Sequence, residues 1–185
     1  MNMNRFTIIP VAALLLAAAG CVPSLQPLYG PKDVIFDPAL VGTWRGPEGD
    51  TWRMLGAPDK AYDVLVTEEG DARKMQAHLV QVGQERYFDF FPDELDIKNG
   101  FYSLHLLRVH HFVRVRLKQD AVEIAMLDEG WVGRQFDANR YAVRREKVED
   151  AYLLTAPPAE LQAFLGGLAK EKNAFADPVV YTRVR

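Results

Sequence analysis

The chain is poor in the side chains on which most hydrolases and disulfide-bonded proteins depend. It has a single cysteine, Cys21, so no disulfide can form within it. Ser24 and Ser103 are its only serines, and neither lies in the Gly-x-Ser-x-Gly motif of a nucleophilic hydrolase. The pair Gly166-Gly167 lacks the Lys-Ser or Lys-Thr that follows a phosphate-binding loop. The sequence therefore predicts neither an enzyme nor a cofactor.

Runs of like charge are absent as well. The chain has 22 Lys and Arg residues against 25 Asp and Glu residues, which gives a net charge of −3 at pH 7. Nucleic-acid binding needs a concentrated basic surface, because most of its affinity comes from phosphate contacts. The composition therefore argues against nucleic acid as a partner.

The histidines do not have the spacing of metal ligands. His110 and His111 are adjacent on a predicted strand and should point to opposite faces of it. His105 and His111 share a face, but they are separated by about 20 Å along an extended chain. We predict no metal site.

The N-terminus has the order of a secretory signal. Arg5 is followed by an almost unbroken apolar run from Phe6 to Gly20. As a helix, this run would span only about 22 Å, whereas the bilayer hydrocarbon is roughly 30 Å thick. A cleaved signal is therefore predicted in preference to a permanent transmembrane span.

The residues Ala18-Ala19-Gly20-Cys21 resemble the lipobox of bacterial lipoproteins, although Ala18 replaces the usual leucine. The resemblance implies cleavage before Cys21, acylation of its sulfur and new amino group with chains such as palmitate, and attachment to a membrane. Three acyl chains would anchor a protein permanently. Because Val22 and not Asp follows the cysteine, the family rule implies the outer membrane, facing the periplasm. The alternative is an ordinary secretory signal followed by an incidental buried cysteine.

The next segment, residues 22–38, is predicted to be a tether. Its four prolines, Pro23, Pro27, Pro31 and Pro38, disfavour regular structure. Fully extended, it would reach about 55 Å and hold a domain clear of the headgroups. The alternative is that its apolar side chains, such as Leu28 and Tyr29, pack onto the domain.

Residues 39–185 form a single predicted β-rich domain. Apolar and polar residues alternate with period two through most of 40–127, with turn residues between the runs. We predict strands near 40–46, 50–56, 61–67, 73–82, 86–91, 104–118 and 121–127. The fold class is mostly β, an antiparallel meander barrel of about eight strands; the alternative is an antiparallel β-sandwich.

The C-terminal third is predicted to add one or two short helices. A helix at 129–139, strands at 141–147 and 151–155, and a second helix at 157–170 precede a closing strand at 178–184. The second helix begins with proline and has an apolar stripe that includes Leu161 and Leu165.

Gly42-Thr43-Trp44, at the head of the first strand, resembles the Gly-x-Trp opening of lipocalins. In that family the tryptophan closes one end of the barrel beneath an arginine from the last strand. The resemblance implies that Trp44 has this role here, with Arg183 or Arg185 as its partner. Pro27-Leu28-Tyr29 and Phe36-Asp37-Pro38 are also similar to segments of an uncharacterised group of bacterial lipoproteins.

The predicted strand 104–118 has an unusual basic face. One interpretation is an anion, headgroup or ligand contact; the other is a solvated outer face whose charges are offset by Asp63 or Glu123. The residues of this face are Arg108, His110, Arg114, Arg116 and Lys118.

The sequence leaves two functions open. One is a lipid-anchored module that binds a small apolar or amphipathic ligand in its barrel. The other is an envelope scaffold with a filled barrel that contacts another envelope protein. Enzymatic activity would need a carboxylate beside a histidine such as His111 inside the barrel.

Overall fold

The computed structural model of the chain describes residues 21–93 and 97–185. The predicted signal segment, residues 1–20, lies outside the described residues. The strands in chain order are β1 (Val34–Ile35), β2 (Gly42–Arg45), β3 (Thr51–Gly56), β4 (Ala61–Glu68), β5 (Asp71–Val82), β6 (Glu85–Pro92), β7 (His111–Leu117), β8 (Ala121–Met126), β9 (Arg145–Val148), β10 (Ala151–Leu154) and β11 (Val179–Arg183). The helices are α1 (Gly100–Ser103), α2 (Glu129–Asp137) and α3 (Pro158–Leu168).

Eight antiparallel strands close into a barrel. Their order around the ring is β5, β4, β3, β2, β11, β8, β7 and β6, and β6 pairs again with β5. The short strand β1 pairs with the part of β5 that lies beyond the first residue of β4, through Val34–Val80 and Ile35–Leu79. β9 and β10 form a separate hairpin. The predicted antiparallel barrel with helices in its C-terminal third is therefore confirmed, and the closed ring excludes a sandwich.

The predicted strand at 104–118 is too long at its N-terminal end. β7 begins at His111, where the last pair with β6 is Phe90–His111, and β6 itself ends at Pro92. Residues 104–109 pair with no strand in the described part of the chain, so the alternation in this stretch is not expressed as β-structure. The short helix α1 precedes them, and the Asn99 side chain caps it by accepting a hydrogen bond from Tyr102 N at 3.0 Å.

The barrel interior is filled with large side chains. Inward positions of the strands carry aromatic and branched residues, because successive side chains of a strand alternate between its faces. Nearly all of them are less than 8% exposed, and they form one contiguous cluster: Leu40, Trp44, Trp52, Met54, Tyr62, Val64, Ala77, Leu79, Phe88, Phe90, Val113, Val115, Val122, Ile124 and Tyr181.

A second core lies between the outer face of β5–β8 and the helices. Tyr87 and Phe112 contribute from the strands, and Leu127 contributes from the position after β8. Helix α2 contributes Val132 and Phe136, and α3 contributes its predicted stripe, Leu161, Phe164, Leu165 and Leu168. Strand β6 is thus covered on both faces, as the aromatic run Tyr87–Phe91 requires. The two cores together contain the buried apolar side chains of the ring strands and of α2 and α3.

The segment 22–38 is docked on the domain. Val22 is 3% exposed and Leu28 is fully buried in the outer core. Ser24 exchanges backbone hydrogen bonds with His110, at 2.9 Å and 2.8 Å, and also bridges to Leu154. Of the two alternatives for this segment, packing onto the domain is the one that the structure has.

No helix in the described part of the chain is both long enough and apolar enough to cross a bilayer.

Candidate functional site at the open end of the barrel

One end of the barrel is closed by the predicted pair. The guanidinium of Arg183 lies over the Trp44 indole, 4.1 Å from the ring centroid, and donates hydrogen bonds to the carbonyls of Val41 and Ala39 at 2.9 Å and 2.5 Å. The Trp44 Nε1 donates to the carbonyl of Leu40 at 2.8 Å. This closed end therefore satisfies its polar groups within the chain. Arg185 instead contacts Asp120 at 3.2 Å on the surface.

Gly42 is required for this closure. Its φ is +143°, in the region that favours glycine, and a Cβ added there would lie 2.4 Å from Nη1 of Arg183. The glycine of the Gly-x-Trp opening therefore leaves room for the arginine that covers the tryptophan.

The filled interior leaves no room for an enclosed ligand against the core residues. Side chains that lined a ligand-sized chamber would expose surface to it, yet Leu79, Phe88 and Val115 are 0%, 0% and 1% exposed. A small ligand of a lipocalin-like protein would need such a chamber. The outside of the barrel and its open end are the surfaces that the described residues offer for binding.

The opposite end is an open mouth, which we define by the turns 46–50 and 69–70 and the strand ends beside them. It holds a cleft of about 1120 Å³. Its lining is Pro47, Glu48, Gly49, Asp50, Val66, Thr67, Glu68, Glu69, Gly70, Asp71, Arg73, Met75, Val179 and Tyr181. The rim is thus rich in carboxylates, and the cleft favours a cationic group over an anionic one.

The floor of the cleft is aromatic. Tyr181 Oη donates to Asp50 Oδ2 at 2.5 Å, and burial together with this carboxylate raises the pKa of Tyr181 well above its usual value. The Tyr181 ring lies 4.9 Å from the Trp52 ring, which has an edge contact with Phe90 at 5.1 Å. The buried Nε1 of Trp52 has no hydrogen-bond partner among the described residues.

Cys21 lies at the same end of the barrel. Its Sγ is 3.0 Å from Sδ of Met126, the last residue of β8, and Met126 is 37% exposed. Burial and, to a smaller extent, the negative charge of Glu129 raise the pKa of the Cys21 thiol. A raised pKa disfavours the thiolate, so the environment does not activate this cysteine as a nucleophile.

The structure gives the basic residues of 108–118 separate partners within the chain. Arg108 donates to the carbonyls of Pro92 and Asp93, at 3.3 Å and 2.6 Å. Arg114 lies over the ring of Phe175 at 3.9 Å, and Arg116 pairs with Glu85 at 2.5 Å.

Lys118 pairs with Glu123, one of the two carboxylates expected to offset this face. Among the described residues these cations do not surround a shared pocket: Arg116 and Lys118 are exposed on the outer face, whereas Arg114 is half-buried against the second core.

His110 belongs to a buried cluster that sequence reasoning missed. Its Nδ1 is 2.7 Å from Asp89 Oδ1, and Asp89 Oδ2 accepts a hydrogen bond from Leu28 N at 2.7 Å. His78 is the cross-strand neighbour of Asp89 and stacks on Tyr29 at 4.2 Å. Asp89 is 1% exposed. The cluster holds the docked N-terminal segment against the sheet.

A signal for this cluster was present in the sequence. Asp89 is the one carboxylate in the apolar run Tyr87–Phe91, on a strand covered on both faces. A charge in that position has to be paired, because an unpaired buried carboxylate is too costly. The partners, however, come from remote parts of the chain.

His111, the residue considered for acid–base chemistry, lies at the inward start of β7. Burial lowers its pKa, as it does for His78. No group of three or more metal-ligating side chains occurs in residues 21–93 and 97–185.

Comparison of the chain with protein-family models, with curated proteins and with solved structures finds no match.

Proposed function

We propose that the protein is a bacterial envelope lipoprotein, acylated on Cys21 and held on the outer membrane facing the periplasm, whose filled barrel is a scaffold for another envelope protein. The observation that carries the scaffold proposal is the interior of the barrel, where aromatic and branched side chains occupy the space of a ligand. Such a barrel offers other molecules its outer surface and its open mouth.

Two features support the anchor. Arg5, the apolar run to Gly20 and the small residues before Cys21 have the order of a lipoprotein signal. Cys21 is partly exposed at the domain surface, so acyl chains on its sulfur can leave the protein without disturbing either core.

Labelling with radioactive palmitate in a bacterium tests the anchor. The wild type and the control variant Met126→Leu, which changes the sulfur neighbour but keeps Cys21, should incorporate label and fractionate with the outer membrane. Cys21→Ala should incorporate none. Equal labelling of Cys21→Ala, or an unlabelled wild type, would refute acylation at this residue.

A photo-crosslinking amino acid tests the scaffold. At Glu69 on the rim of the open mouth, it should give one reproducible protein adduct in living cells. Leu55, which is 46% exposed near the closed end, is the matched control and should give none. An absence of adducts at both positions would count against a partner at the open mouth.

A second candidate function is binding of a small amphipathic cation in the open mouth. The observation that favours it is the cleft itself, in which Val66, Met75 and Tyr181 provide apolar surface beneath carboxylates. Binding of a dodecylammonium salt below its micelle concentration, measured by calorimetry, tests it. The double variant Asp50→Asn/Glu69→Gln should bind about tenfold more weakly or worse, because it removes two charges from a concave site. Asp63→Asn, which changes a carboxylate outside the cleft, should leave the affinity unchanged; equal affinities of all three proteins would refute a site in the cleft.

A further inference from the structure

The segment 97–109, which we call the apolar flap, projects large apolar side chains into solvent. It connects β6 to β7 and includes α1. Phe101, Tyr102, Leu104 and Leu107 are 76%, 58%, 79% and 66% exposed. Four such residues within seven positions form a concentrated apolar surface, whereas scattered exposed leucines would need no explanation.

The apolar flap is seated on the domain by one side only. Ser103, Leu106 and Val109, spaced by three residues, are half-buried, while the other residues from Lys98 to Arg108 are exposed. Arg108 ties the flap to the end of β6 through the carbonyls of Pro92 and Asp93 and lies 4.8 Å from the Phe91 ring. These contacts fix the flap with its apolar side chains directed away from the protein.

The apolar flap ends beside the point where the chain would carry its lipid. Val109 is followed by His110, which exchanges backbone hydrogen bonds with Ser24. Cys21 is three residues before Ser24, at most about 11 Å along the chain. The Cys21 sulfur contacts Met126 at the open mouth, the same end from which the flap extends.

We propose that the apolar flap inserts into the bilayer interface beside the acyl chains on Cys21 and so fixes the orientation of the barrel on the membrane. This inference rests on the proposed lipid anchor. The occupant is a lipid surface because the anchor brings the bilayer to this end of the barrel. The composition also fits, since aromatic and leucine side chains are accompanied by the basic residues Lys98 and Arg108, as in interfacial segments.

Insertion at this place tilts the barrel. The flap joins β6 and β7, whereas the turn 46–50, with Glu48 and Asp50, joins β2 and β3 on the opposite side of the ring. The membrane therefore approaches the side of the mouth formed by β6, β7 and β8. The acidic turn 46–50 stays in water, where repulsion by anionic headgroups does not oppose the contact.

A site-specific fluorophore tests insertion. Because acylation blocks Cys21, the full-length lipoprotein with Leu104→Cys can be labelled at that residue alone with an environment-sensitive dye. The protein is reconstituted into vesicles of phosphatidylethanolamine and phosphatidylglycerol. Leu55→Cys, an exposed leucine near the closed end, is the matched control.

The dye at residue 104 should shift to shorter wavelength and lose fluorescence when the vesicles carry nitroxide-labelled acyl chains. The dye at residue 55 should do neither, and adding Leu107→Ser to Leu104→Cys should reduce the loss. A dye at residue 104 that stays in water overturns the proposal. A blue shift without nitroxide quenching indicates a protein contact and also overturns it.

The mass of the same sample separates the two proposals. Unacylated protein refutes the lipid anchor whatever the dye reports. Acylated protein with a water-exposed dye at residue 104 refutes insertion of the flap and leaves the anchor standing.

Discussion

The two ends of the barrel contain the same kinds of aromatic side chain, but the polar atoms of these side chains have different hydrogen-bond partners. At the closed end, the Trp44 indole donates to a carbonyl and is covered by Arg183, whose own donors are also satisfied. At the open mouth, the Trp52 Nε1 is buried without a partner in the described structure, and Tyr181 donates a hydrogen bond to the carboxylate of Asp50 on the rim. The polar groups of the closed end are satisfied within the chain, whereas the open end has a buried donor without a partner among the described residues and carboxylates at its rim.

The largest expected effect is at the arginine of the closed end. Arg183→Met removes hydrogen bonds to two carbonyls and the cation from the Trp44 face. We therefore expect the free energy of unfolding, measured in urea, to fall by about 3 kcal/mol. Arg185→Met is the matched control, because its surface pair with Asp120 should be worth less than about 0.5 kcal/mol. Equal losses for the two variants would contradict the assignment of Arg183 as the closing residue.

The two tryptophans provide the next comparison. Trp44→Phe loses the hydrogen bond to Leu40 and weakens the stacking of Arg183, which should cost about 2 kcal/mol beyond the change of ring size. Trp52→Phe makes a similar change of volume but removes an unsatisfied donor. Its loss in free energy of unfolding should therefore be smaller than that of Trp44→Phe by at least about 1 kcal/mol. Denaturant unfolding of both variants measures the difference, and a larger loss for Trp52→Phe would reverse the comparison.

The open mouth should also make stability depend on pH. Burial lowers the pKa of His111 in the folded protein below its ordinary value of 6.5, so the unfolded chain binds more protons below that pH. The stabilising contribution of neutral His111 is therefore present above pH 6.5 and is lost as the pH falls toward the lowered pKa.

Thermal unfolding between pH 7 and pH 5 measures this loss, and His111→Gln should lose less stability over the same range. His78, whose pKa burial also lowers, keeps some of the dependence in that variant. Identical pH profiles of the variant and the wild type would exclude His111 as a contributor.

The smallest effect on folding is expected in the apolar flap. Leu104→Ser changes a side chain that is 79% exposed, so the free energy of unfolding should stay within about 0.5 kcal/mol of the wild type. Val115→Ser, inside the closed barrel, is the contrast and should cost several times more, since it places a hydroxyl in a filled core. A strong destabilisation by Leu104→Ser would mean that the flap is part of the fold and not a contact surface.

Much of the fold follows from local pattern. The period-two runs mark the strands of the ring, and the proline start with its apolar stripe marks α3. The stretch 104–110 shows the limit of such reasoning: it alternates as β7 does, but the pairing of β6 with β7 ends at Phe90–His111. Strand formation depends on a neighbour, and the neighbour is not encoded in the alternation.

The candidate site was less predictable than the fold. Trp44 and Arg183 could be named because a family pattern places them, whereas the acidic rim is assembled from turns that are distant in sequence. The docking of residues 22–38 depends on a hydrogen bond from the backbone amide of Leu28 to the Asp89 carboxylate. The two residues are more than 60 positions apart in the chain. Such long-range hydrogen bonds satisfy buried groups whose partners cannot be read from spacing.

The most direct test of the account is the intact mass of the native protein after gentle extraction from bacterial membranes. We predict a chain that begins at residue 21 and carries the added mass of a diacylglycerol and an N-linked acyl chain, with no apolar ligand bound in stoichiometric amount. A chain with an unmodified Cys21 thiol, or one that releases a stoichiometric apolar ligand on denaturation, would contradict the account.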